Sequence, residues 1–174
     1  MGKLKKDQHN LLNLSDGLVE RMKFGIEYTK KHGQEYLVNM CKKPDSNTLI
    51  EGATRTGGDG FVWLLPESMR CKKGDIHIGD YHTHIPKNNG KLSLHDTYVT
   101  YQEKYGFACI GTTKEEKEEI KCYQRIGPID KKIKEYISDL DNNISKLEER
   151  KKIRDKILKE FFNITKIKER FQLI

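Results

Sequence analysis

The chain has 174 residues, a formal net charge of +7, and nearly equal shares of hydrophobic (35%) and charged (34%) residues. That leaves room for one real core, and no run approaches the roughly 20 apolar residues that a bilayer span requires. The N-terminal lysines lead into no apolar stretch long enough for a secretory signal, so a membrane is excluded as a partner and the chain is read as cytoplasmic.

The positive charge is dispersed rather than gathered. Lysines alternate with glutamates, as in the run KEEKEEIK over residues 114–121. A solvated surface explains this pattern, and no basic stripe with interleaved aromatics marks a nucleic-acid partner. Cys41, Cys71, Cys109 and Cys122 form no C-x-x-C pair and no zinc-knuckle spacing. They read as reduced, buried thiols, Cys109 within the apolar run Phe107–Ile110.

In chain order, residues 1–14 read as a flexible N-terminus. Ser15 or Asp16 then caps a helix carrying Leu18, Val19, Met22, Ile26 and Tyr28 on one side, and Gly33 ends it. Short apolar runs predict strands over Glu35–Met40 and Thr48–Ala53, either side of a turn at Pro44–Asn47. A glycine-rich turn over Gly57–Gly60 leads to a third strand, Phe61–Leu65, and Pro66 opens a short helix to Arg70.

Further strands follow over Ile76–His82, Phe107–Thr112 and Glu119–Ile126. Between the first two, a loop at Pro86–Gly90 precedes a helix over Ser93–Lys104. At Gly127-Pro128 the character changes, and no Gly or Pro occurs from Ile129 onward. Ile133, Ile137, Leu140, Ile144 and Leu147 form a coiled-coil-like seam whose register then slips to Ile153, Ile157, Phe161 and Ile164. The slip is either a stutter in one long helix or a hinge between two. The expected fold is an α/β domain over residues 15–127, one mostly antiparallel sheet flanked by helices. A long helical extension over 128–174 follows it.

The chemistry concentrates in Gly79–Asp96. Side chains alternate along a strand with a period of two, so His82 and His84 point to the same side. Two convergent imidazoles begin a zinc site, and Asp96 can close it as a third ligand with a fourth position left open, the catalytic pattern. Each part also has a plainer reading. His-x-His alone is a weak signal, and Ser93-x-x-Asp96 is a helix capping box. The two readings are compatible, because a first-turn carboxylate can face a neighbouring strand.

H-x-H, a short loop, then S-x-x-D resembles the signature of the JAMM (MPN+) zinc metalloproteases, which include deubiquitinases and their prokaryotic relatives. The resemblance covers about residues 15–126 and implies an MPN/JAB-type, cytidine-deaminase-like sandwich. It implies one Zn²⁺ per chain on His82, His84 and Asp96, Glu35 as the proton acceptor for an activated water, and Ser93 as hydrogen-bond donor to the oxyanion. The implied reaction is hydrolysis of an amide or isopeptide bond in a protein or peptide substrate, such as a ubiquitin-like or sulfur-carrier-like tail. Two departures stand out: Ile85 intervenes before Pro86, where the family has proline directly after the second histidine. The spacer from His84 to Ser93 is eight residues, one more than usual.

Glu51 competes with Glu35 for the acid position, and His95 competes with Asp96 for the third ligand. His9, His32 and His77 read as surface residues. A non-catalytic binding module is the alternative function. The seam over residues 129–174 pairs two copies of the chain, docks a partner protein or folds back on the domain, and the sequence leaves these three open.

Overall fold

The structure, a computed structural model, describes residues 13–57, 65–85, 91–114 and 117–167. Helix α1 (Asp16–His32) starts where Ser15 Oγ accepts a hydrogen bond from Leu18 N–H, and ends at Gly33 with φ +66°. Only a residue without Cβ takes that left-handed turn at no steric cost. Strand β1 (Asn13–Leu14) precedes this helix, and β2 (Tyr36–Lys42), β3 (Thr48–Thr56) and β4 (Ile76–Thr83) follow it. A 3₁₀ turn at Glu67–Met69 stands where Pro66 predicts a short helix. Helix α2 (Leu94–Gln102), strands β5 (Phe107–Lys114) and β6 (Lys117–Arg125), helices α3 (Lys131–Asn143) and α4 (Leu147–Phe161), and strand β7 (Phe162–Ile167) complete the order.

Among the described residues the strands form one sheet in the order β1-β3-β2-β4-β5-β6-β7. The β1–β3 and β4–β5 pairings are parallel and the others antiparallel, so the mixed α/β, mostly antiparallel expectation holds. The expected strand over Phe61–Leu65 and the turn before it lie mostly at 58–64, outside the described residues. The loop at 86–90, residues 168–174 and all but the last two positions of the N-terminal segment also lie outside them. Those last two, Asn13 and Leu14, are paired in β1 alongside Thr48 and Leu49.

The sheet has a core on each face. On one, α1 places Leu18, Met22 and Ile26 against Tyr36, Val38, Met40, Tyr81, Phe107 and Cys109. On the other, Ala108, Ile110 and Tyr123 meet Leu92, Leu94 and Tyr101, together with Ile137, Ile157, Leu158 and Phe162 from the C-terminal third. No helix among the described residues is long and apolar enough to cross a membrane.

Two expectations are corrected here. The C-terminal segment is not a coiled-coil-like extension: the register slip is a break at 144–146, after which α4 returns along the body and β7 pairs antiparallel with β6. Ile137 and Ile157 of the seam are buried because the sheet offers them an apolar face, while Leu147 and Ile164 stay exposed. The β-branched and aromatic run Phe161–Ile167 suits an edge strand better than another helical turn.

The cysteines are not free thiols: Cys41 bonds Cys71, and Cys109 bonds Cys122. Motif spacing does not reveal such pairs, because strand register and the path of a loop bring them together. For the second pair the signal was in the hairpin itself. A turn that sets Lys114 opposite Lys117 sets Cys109 opposite Cys122.

Candidate metal centre

Strand β4 lies inside the sheet, between β2 and β5. Its approach to β5 depends on Gly79, where a Cβ would stand 1.9 Å from the Phe107 carbonyl oxygen. Beyond Gly79 the alternation divides the strand. Tyr81 and Thr83 face α1, with Tyr81 O–H donating to the Met22 carbonyl at 2.8 Å and the Thr83 hydroxyl meeting that of Thr29. His82 takes the opposite face, and His84 follows it just past the strand end, where its N–H donates to the Gly111 carbonyl at 2.9 Å.

Asp96 comes from the first turn of α2, which Ser93 caps by accepting from Asp96 N–H at 3.0 Å. His82 Nε2 is 3.0 Å from His84 Nε2 and 3.6 Å from Asp96 Oδ2. The donor atoms of the three residues all lie within 4.8 Å of one another. A tetrahedral zinc with bonds of roughly 2.0–2.1 Å spaces its ligand atoms roughly 3.3 Å apart. The two short separations lie on either side of that value, so this trio fits the ion in donor type and spacing.

The electrostatics point the same way. Burial alone disfavours a charged His82 ring, but Asp80 and Asp96 outweigh it and push its pKa up to about 10. Burial likewise works against an ionised Asp96. The hydrogen bond and charge of His82, helped by His84 and Ser93, overcome it and hold the carboxyl at about 2. Without a metal, the pocket therefore keeps one positive charge as a proton. A divalent cation satisfies the same carboxylates.

The pairing Leu37↔His82 between β2 and β4 places Glu35 two residues further on, across from His84 and on the same face. Tyr36 N–H donates to Thr83 Oγ1 at 2.8 Å, which fixes that strand end. Glu35 is only 4% exposed. Burial first, then the negative charge of Asp96, raises its pKa to about 7 against the opposing charge of His82. The structure thus brings Glu35, His82, His84 and Asp96 together, with Ser93 beside Asp96.

The competitors lie elsewhere. Glu51 sits at the N-terminal end of α1, with Ser15 Oγ 3.5 Å away. His95 is exposed and pairs through Nδ1 with Asp141 at 2.9 Å. His32 is exposed at the end of α1, as expected, and His9 lies outside the described residues. His77 is not a surface residue: it is half-buried in β4, and its Nε2 has no hydrogen-bond partner among the described residues. Sequence reasoning missed Asp80, whose Oδ1 is 3.5 Å from His82 Nδ1. The signal was available, since the period of two that aligns His82 with His84 also aligns Asp80.

No protein-family model matches the chain, and no curated protein is similar to it. Among solved structures, a JAB1/MPN domain protein from Archaeoglobus fulgidus is a structural neighbour at 21% sequence identity and a TM-score of 0.40. The match covers 67% of this chain and 90% of that one. At that score the likeness carries no weight for function, which rests on the site residues themselves.

Proposed function

We propose that the chain is a zinc-dependent hydrolase of amide or isopeptide bonds, of the JAMM type that its H-x-H and S-x-x-D segments resemble. The observation that supports this best is the convergence of His82 Nε2, His84 Nε2 and the Asp96 carboxylate within 4.8 Å, beside a buried carboxyl at Glu35. A bound zinc ion would supply Lewis acidity at the scissile carbonyl and a water acidified towards neutral pH.

The chain's own residues do the rest. His82, His84 and Asp96 would hold the ion. Glu35 takes a proton from the attacking water and returns it to the leaving amine, a transfer suited to a carboxyl whose pKa lies near neutrality. Ser93, exposed and capping the helix turn that carries Asp96, donates to the developing oxyanion. The substrate class, a ubiquitin-like or sulfur-carrier-like protein tail, is carried by the resemblance alone.

Elemental analysis of purified wild type and Asp96→Ala tests the site. About one zinc per chain is expected, strongly reduced in the variant. A wild type that stays metal-free after zinc is supplied would leave the binding-module function in its place. Glu35→Gln tests the reaction: it should keep the metal and lose peptidase activity.

A further inference from the structure

We propose that Asp80 is a positioning residue for the metal site, holding His82 so that Nε2 rather than Nδ1 faces the ion. The inference rests on reading His82, His84 and Asp96 as a metal centre, and it adds a residue that the H-x-H and S-x-x-D pattern does not contain.

A neutral imidazole carries one N–H and one lone pair. For Nε2 to offer its lone pair, Nδ1 must carry the hydrogen, and a buried N–H needs an acceptor. His82 is buried, its Nε2 turned towards His84 and Asp96 and its Nδ1 towards Asp80 Oδ1 at 3.5 Å. The two side chains are 11% and 14% exposed, so water offers little competition for that contact. A carboxylate on the far nitrogen fixes the tautomer and ring plane and makes the ligand nitrogen more basic.

The backbone makes this arrangement rigid. Asp80 pairs with Asn39 on β2 and with Ala108 on β5, so it is held from both sides in the body of the sheet. It shares a face with His82 through the two-residue period, next to Gly79, whose missing Cβ admits the Phe107 carbonyl. A side chain on a loop would have no such fixed aim.

The test measures zinc affinity by competition with a chromogenic chelator, for wild type and for Asp80→Asn. The variant keeps the shape of the side chain and removes its charge. Binding about 10-fold to 100-fold weaker is expected, with the thermal unfolding of the metal-free proteins compared as a control on folding. Long-range ¹H–¹⁵N spectra of the histidine rings give a second readout, in which the tautomer is assigned on wild type alone. In the zinc-loaded protein His82 should show a protonated Nδ1 and a metal-bound Nε2, and in Asp80→Ala the Nδ1 proton should exchange faster.

A wild type that binds zinc, with Asp80→Asn binding as tightly, overturns the role of Asp80 and leaves the metal centre intact. Zinc bound through His82 Nδ1 overturns it too, even if the Asp80 variants fail to fold. A wild type that binds no zinc overturns the proposed function, and the role of Asp80 with it.

Discussion

Glu103 is held where water is scarce, at the C-terminal end of α2. Burial, reinforced by Asp80 and opposed by Arg70, raises its pKa to about 7 from an ordinary 4.5. A carboxyl whose pKa rises on folding binds more protons folded than unfolded. Its contribution is therefore fully present below pH 4.5 and is lost as pH rises through about 7. Glu35 adds a slope of the same sign. In the metal-free protein, chemical denaturation should show stability falling across that window. Glu103→Gln should flatten part of the fall and raise stability at pH 8 by about 1–3 kcal/mol.

Ser93 poses a different question at the same scale, because its hydroxyl caps α2 and is also the proposed oxyanion donor. Ser93→Ala should cost about 1 kcal/mol of stability through the lost cap. Ser93→Asn, an equally good cap, should restore the stability but not the hydrolysis rate. Recovery of both would make Ser93 a cap and nothing more.

The elements around the site are tied by polar groups that no motif marks. Arg125, at the end of β6, is 6% exposed. Its Nη1 donates to the carbonyls of Tyr101 and Glu103 at 2.6 Å each, Nη2 to that of Lys104 at 3.0 Å, and Nε to that of Gly127 at 2.9 Å. This guanidinium closes the C-terminal end of the helix whose first turn carries Asp96. Arg125→Ala should lose about 2–4 kcal/mol in urea unfolding, since it strands buried carbonyls. Arg125→Lys should recover only part of that loss, because an ammonium cannot fork across so many acceptors.

The β5–β6 hairpin carries its own staple. The disulfide between Cys109 and Cys122 closes a separation of 13 residues, a loop for which chain entropy allows about 3 kcal/mol. Thiol titration of the folded, unreduced protein should find neither cysteine free. The double variant Cys109→Ala/Cys122→Ala should unfold at a lower temperature.

At the scale of the whole molecule, residues 131–167 complete the core. Ile137, Ile157, Leu158 and Phe162 are each at most 3% exposed and cover the face formed by Ala108, Ile110 and Tyr123. Burial at about 1.5–3 kcal/mol per side chain makes these four worth about 6–12 kcal/mol, comparable to the entire stability of an ordinary domain. A chain ending at Gly127 should therefore lose cooperative unfolding by circular dichroism and aggregate, rather than persist as a smaller active domain. Arg150 supports the return of the chain. Its Nη1 donates to the carbonyls of Asp141 at 2.8 Å and Ile144 at 2.6 Å, closing the corner between α3 and α4.

The sequence by itself determined whatever depends on neighbours within a few positions. Ser15 and Gly33 set the ends of α1, Ser93 set the start of α2, and the alternation in β4 put His82 and His84 on one face. These features follow from steric preferences and periods of 2 and 3.6 residues, which are written locally. Tertiary structure decided which of two glutamates reached the histidines, because only the pairing of β2 with β4 carries Glu35 there and leaves Glu51 at the end of α1. It also decided that the C-terminal seam folds onto its own sheet and that the cysteines meet in pairs. An amphipathic stripe specifies that it must be covered, but the surface that covers it is set by the packing of segments far apart in the chain.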